Sequence, residues 1–324
     1  MKTGRLKLVA SVLALTAGVA IWAGKPTESS PMVSNEMAMA AMDGNINDIN
    51  RLLREGWDVN HGGKLGNTTL MWAAEYGQTR VVNSLLAANA EVNAVNRWGQ
   101  SALTLAVQWG NEEIVDMLLA HGADVKHAAN NGSTALMRAA QYDFDNLVQK
   151  LIDHGADVAQ LDHQGRSALL VAAEWGSLKA TERLLAAGAN HNLQDKAGFS
   201  ALMLAAMNGH EGVVEALLTK GTRDIVRHEC GCTALHLAAE KGYSGIVQTL
   251  VAHGADVNAV NQWGVSPLML AAANDRFDVV KILLSHGANP TLKDIDGKTV
   301  ARHYGRTNEK TAMGKLLAKV GALI

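Results

Sequence analysis

Apolar residues in this chain fall into short paired blocks separated by polar turns. From Ser200 the chain reads "SALMLAAMNGHEGVVEALLTKG". "ALMLAAM" predicts a short helix that Gly209 closes, and "HEGVVEALLTK" a second one with Val213, Val214, Leu217 and Leu218 at helical core spacing. Ser200 stands at the N-cap place, where its hydroxyl can satisfy a free N–H of the first turn. Gly221 ends the second helix, where a left-handed residue is wanted. A loop reaching "D-x-x-G" then turns the chain for another such block.

That block recurs. A glycine followed two residues later by Thr or Ser stands at Gly66, Gly99, Gly132, Gly165, Gly198, Gly231, Gly264 and Gly297, always 33 residues apart. "NAVNRWGQSALTLA" from Asn93 and "NAVNQWGVSPLMLA" from Asn258 are the same phrase five periods apart. A fixed period of this size means a stacked array in which each unit packs only on its neighbours. The N-cap role falls in turn to Thr68, Ser101, Thr134, Ser167, Thr233, Ser266 and Thr299, and Asn89 replaces the helix-ending glycine in its unit. The pairs Ala73-Ala74, Ala139-Ala140, Ala172-Ala173, Ala205-Ala206 and Ala238-Ala239 are small enough for first helices to stack closely.

The period and letters resemble the ankyrin repeat, best in "GCTALHLAAEKGYSGIVQTLVAHGADVNAVNQWG" from Gly231 and "GVSPLMLAAANDRFDVVKILLSHGANP" from Gly264. The resemblance covers about residues 34 to 324. It implies an all-α solenoid of stacked helix-turn-helix units with projecting hairpin loops and a concave face, and it implies protein–protein recognition in general. The family's usual His after Leu survives at His236, while Met71, Thr104, Met137, Leu170, Met203 and Met269 hold that place elsewhere. The expected layout is an N-terminal cap over 34–62, seven repeats over 63–293 and a C-terminal cap over 294–324. Lys310, Lys315 and Lys319 give the last helix a wet outer face, as a terminal unit needs.

The N-terminus stands apart from the array. Lys2, Arg5 and Lys7 precede an apolar run from Leu8 to Gly24, and "KPTESSP" follows. Basic start, apolar middle and polar exit is the layout of a secretory signal. The run is short for a spanning helix, which needs about 20 residues. Cleavage after Ala20 or Ala23 would leave Gly18 or Ile21 at the third place back, and Trp22 would suit an interfacial anchor. Residues 1–24 are therefore read as a signal peptide or an N-terminal membrane anchor, and 25–33 as a linker. The compact layout is bacterial. The destination is the periplasm or the outside, with anchoring to the inner membrane by residues 8–24 as the variant case. No cysteine follows the run, which argues against a lipoprotein.

Composition narrows the chemistry. A formal net charge of −2 offers no basic field for nucleic acid. No Gly-rich phosphate loop, paired Cys-x-x-Cys, His-Glu-x-x-His or Gly-x-Ser-x-Gly is present, so the reading is non-enzymatic, with no catalytic residue, metal or cofactor assigned. His121, His154, His253 and His286 each precede a helix-ending glycine and read as cap residues. "RHECGCTALH" breaks the pattern: His228, Cys230, Cys232 and His236 invite a soft metal site, and the two cysteines a redox pair across Gly231. Two ordinary thiols and an ordinary repeat histidine are the preferred reading.

Aromatics are 4% of the chain, so their places carry information. At the end of successive first helices, on the side that is concave in ankyrin proteins, stand Tyr76, Trp109, Tyr142 and Trp175, then Asn208, Lys241 and Asn274. One place earlier stand Glu75, Gln108, Gln141 and Glu174. With about 10 Å between packed helices the row is roughly 30 Å long. Trp98, Phe199 and Trp263 add aromatics at hairpin tips, beside Arg97. These twelve residues are the candidate partner-binding set. The bland alternative is that the rings only cover helix ends and stack on one another, like Trp57 and Trp72, which are read as buried. The expected activity is binding of a protein or peptide partner. A glycan or small-molecule binder using the aromatic row is the alternative, and an oxidative-stress or metal-handling factor using Cys230 and Cys232 a third.

Overall fold

The computed structural model describes residues 36–305 and 311–320. The signal or anchor segment, the linker, and Asn35 and Lys310 of the two caps lie outside the described residues. Eighteen helices follow in nine pairs: α1 Glu36–Met42 and α2 Ile46–Arg54, α3 Thr69–Glu75 and α4 Thr79–Ala87, α5 Ala102–Gln108 and α6 Glu112–Ala120, α7 Ala135–Gln141 and α8 Asp145–Asp153, and α9 Ala168–Trp175 and α10 Leu178–Ala186. Then come α11 Ala201–Asn208 and α12 Glu211–Thr219, α13 Ala234–Lys241 and α14 Ser244–Ala252, α15 Pro267–Ala273 and α16 Phe277–Ser285, and α17 Val300–Tyr304 and α18 Ala312–Lys319. Odd-numbered helices stack on odd and even on even, so the molecule has two helical layers with the loops along one edge. None of these helices is long and apolar enough to cross a membrane.

The stacking follows from the letters. All five Ala-Ala pairs are fully buried, which lets neighbouring first helices approach closely. Val213, Val214, Leu217 and Leu218 are buried on the inward face of α12. Thr68, Ser101, Thr134, Ser167, Ser200 and Ser266 each accept a hydrogen bond from the backbone N–H three residues on, at 3.2–3.5 Å. Thr299 makes no such bond, which corrects the expectation there. At α13 the Thr233 hydroxyl engages His236 Nδ1 at 3.1 Å, and a residue from the preceding loop shares the capping. Asp224 accepts from the Ala234 and Leu235 N–H groups at 2.7 and 3.0 Å. Asp224 stands where other units place Val, as at Val158 and Val257, so the odd "GTRDIVR" loop is a replacement helix cap.

The helix ends behave as the pattern implies. Asn89 takes glycine's left-handed conformation with φ 59°, as do Asp143 and Asp275 with φ 58°. His121, His154, His253 and His286 turn Nδ1 onto the carbonyl four residues back at 2.8–2.9 Å, adding a second bond at the helix end to an acceptor that already receives the same residue's backbone N–H. Successive loops are tied by backbone bonds such as Asn130 N–H to Trp98 O and His163 N–H to Asn131 O, both at 3.0 Å. The step from Ala197 to Glu229 lacks that bond, and there Gln194 Nε2 donates to Arg227 O at 3.0 Å instead.

His236 links two units. Its Nδ1 accepts from Thr233 N–H at 3.2 Å, and its Nε2 donates to Val265 O of the next loop at 3.2 Å. Burial pushes its pKa down to about 4 from an ordinary 6.5. The folded pKa lies below the unfolded one. Between pH 6.5 and 4 the unfolded chain therefore takes up a proton that the folded chain refuses. Stability is complete above pH 6.5 and falls as pH drops through that window, by up to about 3 kcal/mol from this group. His236→Met, the residue other units use, should show a shallower loss of unfolding free energy between pH 7 and pH 5 than wild type. Equal slopes would show that His236 does not stay neutral in the fold.

Two expectations about tryptophan are corrected. Trp57 is 41% exposed: it follows the end of α2, in the first of the described helix pairs. Trp72 is half-buried: it lies on α3 with its ring edge-on to Tyr76 at 6.3 Å, against the core but not inside it.

Candidate functional site

The first-helix ends carry the aromatic row. Tyr76, Trp109 and Tyr142 are the C-cap residues of α3, α5 and α7, and Trp175 is the last residue of α9, so the 33-residue period holds them in one register. Trp109, Tyr142 and Trp175 are 49%, 42% and 39% exposed, and Tyr76 is half-buried. They do not stack on one another. The ring contacts in this region are Trp72 with Tyr76, and Tyr142 with Phe144 of its own unit at 5.9 Å. Half of each exposed face is thus open in three consecutive units.

The polar row beside them is more internal than the sequence implies. Burial raises the Glu75 carboxyl above its usual range, with the neighbouring Trp109 indole opposing that rise. Gln108 is half-buried. Gln141 is buried, with Oε1 accepting from Arg138 Nη1 at 3.0 Å and its carbonyl accepting from Ser177 Oγ at 3.2 Å, so its amide holds the fold rather than facing a partner. Glu174 receives Arg166 Nη1 at 2.7 Å, and Arg166 also reaches Asp162 at 2.9 Å. Burial raises the Glu174 carboxyl as well, opposed by Arg166.

The hairpin tips divide. Trp98 is exposed with the Arg97 guanidinium over its ring at 5.1 Å, and Trp263 is half-buried in the corresponding place. Phe199 is 5% exposed and does not belong to a tip surface. It follows Gly198, whereas Trp98 and Trp263 precede their glycines, so its ring turns inward onto the His228 imidazole at 4.3 Å.

The cysteine cluster is likewise recast. Cys230 and Cys232 are joined in a disulfide across Gly231, which overturns the preference for two free thiols. His228 Nδ1 accepts from Cys230 N–H at 3.2 Å, doing for this loop what the Asn96 or Asn261 side chain does in others. His236 spends both nitrogens inside the fold. The four residues therefore do not converge on a shared point.

Arg138 escaped the sequence reading. Its place on α7 is held by Trp72, Leu105, Val171, Leu204, Leu237 and Leu270 in the other six repeats, with His303, paired to Asp294, at that place in the C-terminal unit; an arginine among six apolar residues is the available signal. Arg138 forms no ion pair among the described residues, and its buried Nε has no hydrogen-bond acceptor.

Models of ankyrin repeats, three copies each, match residues 37–129, 124–195, 176–261, 202–294 and 245–322. The chain belongs to the ankyrin repeat family. Ankyrin repeats generally mediate protein–protein interaction, and ankyrin proteins are typically non-enzymatic scaffolds. No curated protein matches the chain. The ankyrin register also accounts for the exposed aromatic row, since each first helix must end at the same height.

Proposed function

We propose that this ankyrin protein is a binding scaffold outside the bacterial cytoplasm that holds an extended protein or peptide segment along its concave face. The observation that carries the reading is the run of exposed, mutually unstacked Trp109, Tyr142 and Trp175 at one register. Tyr and Trp are the residues on which recognition surfaces most often concentrate their affinity. Tyr76, Glu75, Gln108 and the Trp98–Arg97 tip complete the surface, while Gln141 and Phe199 support it from behind. Residues 34–62 and 294–324 serve as the capping units of the stack.

The test is panning of the purified protein against a phage-displayed random peptide library, followed by affinity measurement with variants of the aromatic row. Selected peptides should quench tryptophan fluorescence. Quenching by cell-wall oligosaccharides, with no peptide selected, would move the reading to a glycan binder.

Export is the second half of the proposal, and it rests on Lys2, Arg5 and Lys7 ahead of the apolar run. An alkaline phosphatase fusion after Ala40 should be active and a cytoplasmic reporter at the same place silent. The opposite pair of results would place the array in the cytoplasm.

A further inference from the structure

We propose that Arg138 is the anchor for a carboxylate carried by the bound segment, so that the partner presents one acidic group between apolar residues. This rests on the binding-strip reading above and names the chemistry that the strip selects.

An arginine is a costly residue at this place. Six equivalent places are apolar, and Leu105 and Val171 on the flanking first helices are buried. A guanidinium set between them is partly desolvated, and desolvating a charge without a counter-ion is unfavourable. Burial and the nearby Arg166 both press its pKa downward, with Tyr142 opposing. Arg166 in the same neighbourhood is supplied with Asp162 and Glu174, whereas Arg138 has no carboxylate partner. Its only side-chain bond is from Nη1 to Gln141 Oε1 at 3.0 Å.

The unused edge is the informative one. Nε has no acceptor and is sealed from solvent. Nη2 also makes no hydrogen bond but is not sealed. Nε and Nη2 form the side-on edge of a guanidinium, which a carboxylate grips with two parallel hydrogen bonds. A small rotation of the side chain about its outer torsions would turn this edge toward the open side where Nη2 lies, with Gln141 releasing or following Nη1. Tyr142, exposed and close enough to act on the Arg138 charge, lies in the same unit, and Trp109 and Trp175 lie one unit to either side. A carboxylate seated on Arg138 would thus have aromatic faces on both sides for its apolar neighbours. Arg166, with two carboxylates of its own, has little attraction left for a third.

The experiment uses peptides selected on the full chain as above. Each is resynthesised with its Asp or Glu changed to the amide and, separately, with an amidated C-terminus, and affinities are measured for wild type, Arg138→Leu, Arg138→Lys and Trp109→Ala. Neutralising the peptide carboxylate should weaken binding to wild type by about 10- to 100-fold, the usual worth of a hydrogen bond to a charged group. It should leave Arg138→Leu indifferent, because the contact is already gone. The side-chain and C-terminal arms show which carboxylate is used. Arg138→Lys should recover part of the loss, since it keeps the charge without the fork. Arg138→Leu should melt at or above wild type, and if it fails to fold, the lysine variant carries the comparison. Selected peptides lacking an essential carboxylate, or equal binding by wild type and Arg138→Leu, would overturn the assignment. If Trp109→Ala still weakens those peptides, the strip stands and only the carboxylate anchor falls. A library that yields no binder, or binders insensitive to both changes, overturns the strip and the anchor together.

Discussion

Trp109→Ala and Trp175→Ala each weaken peptide capture by at least about 30-fold and leave the protein folded. Truncating an interface anchor typically costs 2 kcal/mol or more. Each ring has close to half its surface open, so its contribution to folding is also partial. Complete burial of a large apolar side chain is worth about 1.5–3 kcal/mol, so these variants should lose about 1–2 kcal/mol of stability. Leu147, fully buried on α8, is the proper contrast because Trp72 is not in the core. Leu147→Ala should cost about 2–5 kcal/mol while sparing the affinity of whatever molecules remain folded. Calorimetric titration and denaturant midpoints separate the two effects. The strip is wrong if the tryptophan variants unfold as readily as Leu147→Ala, or bind selected peptides at wild-type strength.

Gly132→Val should destabilise far more than Gly188→Val, although both glycines have nearly the same backbone. Gly132 has φ +82° and Gly188 φ +83°, so each valine incurs left-handed strain of about 1–2 kcal/mol. Around Gly188 there is nothing within 4 Å of the added carbon. At Gly132 that carbon would lie 2.7 Å from His163 N and 2.8 Å from Asp162 Cα, both backbone atoms of the next loop. Pushing them apart adds an overpacking cost of about 1–3 kcal/mol and threatens the bond from His163 N–H to Asn131 O. The sum is about 2–5 kcal/mol for Gly132→Val. Equal midpoints for the two variants would mean that the loops are not held together as described.

The errors of sequence reading share a physical cause. Register says which side a residue faces but not what reaches across to cover it. Gln141 is at the register of Glu75 and Glu174, yet Arg138 of its own helix bonds its amide and the next repeat closes over it. Phe199 is near Trp98 in register, but it stands on the other side of its glycine, where Cys232 is also buried. Trp57 has the size of a core residue but stands just past the end of α2, in the loop where other repeats place a small alanine such as Ala90, and it is exposed. An arginine on a helix is ordinarily a solvated face, and only the neighbours of Arg138 show that its Nε is sealed and that it has no ion pair among the described residues.

What the sequence by itself determined is the repeating unit and the family. The 33-residue phase, the Ser or Thr caps, the glycine ends and the Ala-Ala pairs are local requirements, each met by the residues within one unit. They dictate helices that start at a fixed register, and from that the alignment of Tyr76, Trp109, Tyr142 and Trp175. What only the tertiary structure decided is which of the aligned side chains are open, which are sealed, and which charges have partners. Those properties belong to side chains that meet in the folded stack, where Ser177 of one unit closes over Gln141 of the one before, Arg166 reaches Asp162 and Glu174, and Arg138 reaches no acid among the described residues. A side chain's exposure depends on atoms brought near by stacking from about one period away, as Ser177 is to Gln141, and its ionic company on which rotamer that packing leaves it; a periodic pattern carries neither.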